Sequence, residues 1–309
     1  MERTRGLAAM AVTVVVWAGF ALSIRGIGAS SLTTMDAALI RFTVPVLLLA
    51  PWIPRTLRRL RAERSAVVAG LCVGAGLPYF LVASFGGSLT SAALVGLVIP
   101  GTVPVFVALL AYKIWGLKIG RPQAVALAAI LAGVALAGRQ PAGAGTLVLL
   151  LAGLIWAVYT LSLRVTVLDP IGTVLVLCLP SACLTAVLIM TGSVPSHLAA
   201  GAARPADVVL YLVVQGVGVG VLAALCYPIA IRCLGSRAAA SLGALSPVVT
   251  AVAAVPLLGE PFTGAGAFAL VVGGVVAFNL LAGGTAQHAP DPGPTQRGPA
   301  LAAHRGLRP

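Results

Sequence analysis

One arginine lies well inside a long apolar stretch of the chain, and it is the clearest candidate for chemistry. Arg41 stands about one and a half helical turns into the stretch 36–53. A charged side chain inside a membrane span is costly and is therefore by default a candidate for function. Its guanidinium could bind a substrate carboxylate, pair with Asp36, or extend outward to the membrane surface. Arg25 and Arg164 stand at the ends of apolar stretches, where outward extension is easy.

Aromatic and amide side chains stand nearer the middle of other apolar stretches and could complete a small-molecule site. Such sites combine apolar walls with a few well-placed hydrogen-bonding groups. Each of these residues could equally serve packing alone. The candidates are Trp17, Tyr79, Trp156, Tyr159, Gln215 and Tyr227.

Prolines inside the apolar stretches predict interrupted helices, because proline lacks the backbone N–H and kinks or breaks a helix. Pro100-Gly101 followed by Pro104 predicts the strongest break, and Pro247 is a further candidate hinge. Broken helices expose carbonyl and amide groups that can hold a polar ligand. Packing or hinge geometry without ligand contact explains these prolines equally well.

The sequence lacks the residue clusters that membrane enzymes need. Intramembrane proteases and metalloenzymes require paired acids, a Ser/His pair or several histidines. His197 is in a loop, and the other two histidines are in the C-terminal tail. The five cysteines lie in apolar stretches without a C-x-x-C pair, as buried small hydrophobic residues do. We therefore expect no enzyme activity, no metal and no cofactor.

No Asp or Glu lies in the middle of any apolar stretch. A proton-coupled exporter of cations normally needs a buried carboxylate that binds either the proton or the cation. Together with Arg41, this favours neutral, zwitterionic or anionic substrates. It also favours facilitated flux or exchange over carboxylate-based proton coupling.

The composition indicates which elements position these residues. Of the 309 residues, 60% are hydrophobic and 9% are charged, whereas soluble domains carry about 25% charged residues. A soluble enzyme, a disordered chain and a nucleic-acid binder are excluded as the main interpretation, in spite of a net charge of +13. Because a helix needs about 20 apolar residues to cross a bilayer, the sequence predicts an all-α integral membrane protein with ten transmembrane helices. They lie at 7–27, 36–53, 66–86, 89–112, 122–139, 146–164, 170–191, 208–231, 238–258 and 263–283.

The basic residues are distributed unevenly over the predicted loops. With ten spans, 16 of the 20 Lys and Arg residues fall on the side that holds both termini. By the positive-inside rule both termini are then cytoplasmic. The run 55–64 is interpreted as a topology determinant, with a lipid-headgroup or nucleic-acid patch as the alternative. The arginine-rich, alanine-rich composition suggests a bacterial protein, hence the inner membrane, and the Pro- and Gly-rich segment 284–309 a disordered cytoplasmic tail.

An internal repeat divides the membrane part into two halves. VWAGFALSIR at 16–25 returns as IWAVYTLSLR at 155–164, and G-x-x-x-G motifs stand at 70–74 and 216–220. Each half holds five spans, an odd number, so the halves enter the membrane from opposite sides. The sequence thus predicts two inverted five-helix repeats, residues 1–140 and 141–283, an architecture that many secondary transporters share.

At these residues the sequence resembles the EamA-type family of the drug/metabolite transporter superfamily. The resemblance rests on the two Trp-Ala segments, on Arg41-Phe42, on the segment 90–110, and on SPVVTAVAAVPLLGEPFTG at 246–264. It implies ten helices, cytoplasmic termini and movement of small metabolites, often export of amino acids or related compounds. One position departs from the family: where the first half should carry a glutamate it has Leu117, so that Glu260 has no acidic mate. A helix-capping or loop-anchoring role is expected for that acid.

These observations favour a carrier, most simply an exporter of small metabolites that works by alternating access. A multidrug efflux carrier is the alternative, followed by a channel or a membrane scaffold without transport activity. The expected partners are a small-molecule substrate and the lipid bilayer, not nucleic acid. The sequence leaves the oligomeric state open, and a monomer is possible.

Overall fold

The computed structural model describes residues 2–138, 143–262 and 264–281, and these residues fold into helices without any strand. The first half holds α1 (Glu2–Gly26), α2 (Thr34–Leu48), α3 (Ile53–Leu60), α4 (Ser65–Ala75), α5 (Leu77–Ser88), α6 (Ala92–Trp115) and α7 (Arg121–Ala137). The second half holds α8 (Gly143–Val165), α9 (Pro170–Met190), α10 (Pro205–Tyr211), a π-helical segment (Leu212–Leu222), α11 (Ala223–Leu234), α12 (Ser236–Gly243), α13 (Ser246–Leu258) and α14 (Ala265–Leu281). The predicted tail 284–309 lies outside the described residues.

The described helices include several that are long and apolar enough to cross a membrane. Seven meet this condition outright, and the pair Thr34–Leu48 and Ala50–Leu60, bent by 64°, brings the number to eight. The helices α7 and α14 are apolar but have only 17 residues each. The prediction of an all-helical, multi-pass membrane protein is confirmed. Length and composition support seven or eight of the ten predicted spans.

The helices are interrupted elsewhere than at the prolines of α6. This helix runs unbroken past Pro100, Gly101 and Pro104, so the break expected there is not present. Close packing explains the continuity, because neighbouring helices support a proline-containing segment in a membrane protein. The Gly101 backbone lies directly against Val271 of α14. By contrast, Pro247 does lie at an interruption, since it stands in the first turn of α13, just after α12 ends.

A second interruption separates α4 from α5 and is stabilised by the other half of the chain. Gly76 stands between the two helices, and Pro78 lies in the first turn of α5, where its missing N–H is not needed. The backbone N–H of Leu77 donates to the Ser181 hydroxyl of α9 at 3.0 Å. One of the free N–H groups at the start of α5 is thereby satisfied across the two halves.

The helix contacts of the two halves correspond to one another. The helix α1 packs against α11 and α13, and α8 packs against α4, α5 and α6. The helix α2 packs against the π-helical segment and α9, and α9 packs against α4 and α2. The helices α7 and α14 pack against each other. These contacts across the halves thus correspond, since α1 and α8, and likewise α2 and α9, each pack against matching helices of the other half.

Salt bridges and hydrogen bonds tie the loops at the end of the molecule that holds the basic run. Asp169 forms ion pairs with Arg55 and Arg59, both at 2.9 Å. The Glu63 carboxylate accepts hydrogen bonds from the Thr166 hydroxyl and from the backbone N–H of the next residue. Burial opposes ionisation of Glu63, but these hydrogen bonds outweigh it and hold its pKa below the ordinary value. Part of the basic run therefore joins the first half to the second.

The G-x-x-x-G motifs lie where helices of the two halves approach closely. A Cβ atom added to Gly74 would lie 2.5 Å from Tyr159 Cβ and 2.7 Å from the Tyr159 backbone nitrogen. A Cβ atom added to Gly216 would lie 2.8 Å from Val44 Cβ. Small residues permit this approach of helix backbones in membrane proteins. Both motifs therefore form contacts between the two halves.

We expect the Gly74→Ala variant to be less stable than the wild type. The new methyl group would meet backbone atoms of Tyr159, which cannot rotate away, and overpacking of this kind costs about 1–3 kcal/mol. Thermal unfolding of the detergent-solubilised protein measures the effect. Gly273→Ala is the matched control, because a Cβ there meets nothing within 4 Å; it should leave the unfolding temperature unchanged or raise it. Equal behaviour of the two variants would contradict the packing argument.

Candidate substrate site

Arg41 lies on α2 and is directed into the protein rather than to the membrane surface. Its side chain is 7% exposed, and Nη1 donates to Gln215 Oε1 at 2.7 Å. Pairing with Asp36 is not found, because the Asp36 carboxylate has other partners. It accepts hydrogen bonds from the backbone N–H of Thr33, from the Ser196 hydroxyl and from the backbone N–H of His197. Of the alternatives for Arg41, neither extension outward nor pairing with Asp36 is seen.

A chain of hydrogen bonds continues from Arg41 across four elements. Gln215, fully buried in the π-helical segment, donates through Nε2 to Ser23 Oγ at 2.7 Å. The Ser23 hydroxyl donates to the carbonyl of Phe20 within α1. The Tyr211 hydroxyl of α10 donates to the Ser23 carbonyl at 2.7 Å. The π-helical geometry around Gln215 is uncommon and is frequent at functional sites.

Three aromatic rings surround the guanidinium of Arg41. Its Cζ lies 5.0 Å from the ring centre of Phe20 and 5.6 Å from those of Phe42 and Phe80. Rings at this distance stabilise a cation through their quadrupoles, and more so when water is excluded. They supply no hydrogen-bond acceptor in exchange for the water that the cation has lost.

A row of aromatic side chains extends from Phe20 to the second half. The Phe20 ring stacks on Tyr79 at 6.1 Å, Tyr79 meets Trp156 edge to face at 4.8 Å, and Trp156 meets Tyr159 at 5.9 Å. Five of the seven residues that the sequence marked as candidates, Arg41 among them, thus lie in one continuous group. Trp156 and Tyr159 are half-buried, whereas Tyr79 is fully buried.

Trp17 and Tyr227 do not join this group. Their ring centres are 5.1 Å apart, and they pack with Met10 and Ala230 in a separate cluster. The pair has a counterpart in the main group, because the repeat matches Trp17 with Trp156. Each tyrosine also follows a G-x-x-x-G motif and stands beside a proline, in Pro78-Tyr79 and Tyr227-Pro228. In both cases a tryptophan of one half packs on a tyrosine of the other.

Two buried polar atoms of the group have no hydrogen-bond partner among the described residues: Nε of Arg41 and the hydroxyl of Tyr79. The Ser84 hydroxyl on α5 is a further one. A buried polar group without a partner costs about 1–3 kcal/mol, and each case in a folded protein requires an explanation. A ligand that accepts hydrogen bonds is one such explanation.

Several residues of the group were not identified as candidates from the sequence. Phe20 and Ser23 stand in the repeated segment 16–25, so the repeat itself was a signal for them. Phe80 and Tyr211 carried no separate signal, because a lone aromatic residue in an apolar stretch is indistinguishable from core.

The site is closed in this structure, since Arg41, Tyr79 and Gln215 are all buried. A cavity of about 500 Å³ lies elsewhere, in a groove between α7 and α14. Its walls are apolar and include Val125, Leu270 and Gly273. Lipid chains suit such a surface better than a polar metabolite does. Among the described residues no group of three His, Cys, Asp or Glu could hold a metal ion.

Comparison with known proteins connects the second half of the chain with a known family. Residues 143–281 match the model of the EamA-like transporter family. This family is part of the drug/metabolite transporter superfamily. Trp156, Tyr159, Gln215 and Tyr227 lie inside the matched segment, and Arg41 lies outside it.

Structural comparison agrees with a shared fold. A crystal structure of a protein that is 20% identical in sequence superposes with a TM-score of 0.58, over 91% of this chain and 99% of that chain. At such identity the likeness shows the fold alone. None of the curated proteins matches the chain in a sequence search.

Glu260, which lies in the matched segment, anchors helix ends of the first half. Its Oε1 pairs with Nε of Arg25 at 3.0 Å, and its Oε2 accepts the backbone N–H of Ala92, at the start of α6, at 2.8 Å. The acid therefore caps one helix and holds the end of another, as expected for the family's glutamate. Leu117 is 49% exposed, and Arg164 is also exposed and takes part in no ion pair within the described part of the chain.

Proposed function

We propose that the chain is a carrier that exports small metabolites, with the site around Arg41 as its substrate site. The observation that carries this proposal is the buried polar and aromatic group at the junction of the two halves. Arg41 and Tyr79 come from the first half, and Gln215, Trp156 and Tyr159 come from the second. A site between two halves is alternately exposed when one half rocks against the other. The match of residues 143–281 to a transporter family supports this mode of action.

The proposal includes ten spans arranged as two inverted repeats, residues 1–140 and 141–283. The corresponding contacts of the two halves support it. The 17 residues of α7 and of α14 give a length of about 25 Å, at the lower limit for crossing the hydrocarbon core. With both counted, the termini lie on the same side, and the excess of basic residues there supports a cytoplasmic location in a bacterial inner membrane.

The substrates proposed are amino acids or related neutral, zwitterionic or anionic compounds. The four acids nearest to the spans, Asp36, Asp169, Asp207 and Glu260, have partners at helix ends or in loops. None of them pairs with Arg41. A cationic drug would meet the uncompensated charge of Arg41, which disfavours the multidrug alternative.

A metabolite comparison tests the function. We expect at least one small organic compound to accumulate inside cells when the gene is deleted and outside cells when it is overexpressed. Flux of that compound into proteoliposomes should saturate and be stimulated by the same compound on the opposite side. Linear flux would indicate a channel, and an unchanged metabolite profile would contradict the proposal.

Collapse of the pH gradient is expected to leave this flux largely intact. Proton coupling by a carboxylate needs an acid at the site, and the carboxylates described above lie elsewhere. An ionophore that dissipates the gradient in proteoliposomes, with the membrane potential clamped, provides the measurement. Loss of the flux under these conditions would show that coupling uses a proton after all.

A further inference from the structure

Arg41 is a buried cation whose hydrogen-bonding capacity is largely unused. A guanidinium has five N–H donors, and the structure gives it one acceptor, the neutral amide oxygen of Gln215. The four ion pairs within the described residues involve other arginines. Its Nε is buried without a partner. Buried charges in proteins are normally paired, so an acceptor is missing from this arrangement.

The surroundings of Arg41 hold the cation in place without neutralising it. The rings of Phe20, Phe42 and Phe80 lie 5.0 to 5.6 Å from its Cζ, and they constrain the planar group by packing. The hydroxyl of Tyr79, on the ring stacked against Phe20, is a second unused buried donor. The guanidinium of Arg41 and the hydroxyl of Tyr79 thus both have donor capacity without an acceptor, and both can donate to an oxyanion.

We propose that the substrate carries a carboxylate and that this carboxylate takes the place of Gln215 Oε1 at Arg41. The inference rests on the proposed function and narrows it to the anionic and zwitterionic classes. A carboxylate is a stronger acceptor than an amide and can accept two parallel hydrogen bonds from a guanidinium. The Tyr79 hydroxyl donates to the same group, and the organic body of the substrate lies against Trp156 and Tyr159. Gln215 is the neutral acceptor of the empty carrier.

Matched carboxylate and amide probes test this inference on the purified full-length protein in detergent. The pairs are acetate with acetamide, benzoate with benzamide, and alanine with alaninamide. We expect at least one carboxylate to raise the thermal unfolding temperature with an affinity at least about tenfold above that of its amide, since a hydrogen bond to a charged group contributes about this factor or more. Equal effects of acid and amide in all three pairs would overturn the inference.

Two substitutions separate the inference from a general effect on folding. Gln215→Glu keeps the shape of the side chain and supplies an internal carboxylate, so it should fold well and abolish the preference for carboxylates. Tyr79→Phe should weaken carboxylate binding about tenfold. Arg58→Gln, which removes an exposed arginine of α3, is the control and should retain the preference. Retention of the preference in Gln215→Glu would contradict the assignment.

The outcomes also distinguish this inference from the proposed function. If a neutral metabolite shows saturable flux that Gln215→Glu does not affect, the protein is a carrier but the inference of a carboxylate substrate is wrong. An unchanged metabolite profile, both in cells with the gene deleted and in cells that overexpress it, would contradict the proposed carrier function itself.

Discussion

The Arg41→Gln variant is expected to lose transport by about 100-fold or more while its thermal stability is unchanged or increased. Two charge-assisted hydrogen bonds to a substrate account for a loss of this size. Stability should not fall, because the variant removes a buried cation that lacks a carboxylate partner. The metabolite that responds to gene deletion supplies the transport assay, and unfolding in detergent supplies the stability assay.

A loss of transport without a loss of stability distinguishes a binding residue from a structural one. A residue retained for function often lowers stability, and its removal then raises it. If Arg41 served only to hold α2 against Gln215, then stability and transport would fall together. Arg41→Lys should give an intermediate result, because a lysine keeps the charge but lacks the planar fork. Unchanged flux in the Arg41→Gln variant would show that Arg41 does not bind the substrate.

Hydropathy was sufficient to predict the class of fold, because a bilayer imposes a simple rule on the length of an apolar span. A different rule, that proline breaks a helix, failed for α6. Proline was expected to break that helix near Pro100, but tertiary packing against α8, α13 and α14 maintains it. Local propensity predicts an interruption only where neighbouring helices leave room for one. The interruption at Gly76, which Ser181 of another helix stabilises, depends on a contact of long range that a local rule cannot express.

The candidate site was predictable to the extent that the repeat and the rarity of buried charge marked its residues. Arg41 was singled out because an arginine within an apolar stretch is rare, and Trp156 because its segment recurs. The pairing of Arg41 with Gln215, 174 positions along the chain, could not be predicted. Nor could the exclusion of Trp17 and Tyr227 from the main group, since the same residue types at matching positions packed into a different cluster.

Removal of the Glu260 carboxylate is expected to destabilise the protein by about 2–3 kcal/mol. The carboxylate accepts a charge-assisted hydrogen bond from the first backbone N–H of α6, which contributes about 1.5–3 kcal/mol, and it also meets the positive end of the helix dipole. Glu260→Ala loses both, and thermal unfolding measures the loss. Leu117→Ala, at the matching position of the first half, should have little effect because Leu117 is 49% exposed.

The ion pair with Arg25 should account for the smaller part of this effect. The Arg25 side chain is 38% exposed, and exposed pairs contribute about 0–1 kcal/mol and weaken in salt. A double-mutant cycle with Arg25→Gln and Glu260→Gln isolates the pair, and we expect a coupling below about 1 kcal/mol that falls as salt is added. Because a glutamine still offers an oxygen to Ala92, Glu260→Gln should cost less than Glu260→Ala. If Arg25→Gln proved as damaging as Glu260→Ala, the main role of the acid would be to hold α1 rather than to cap α6.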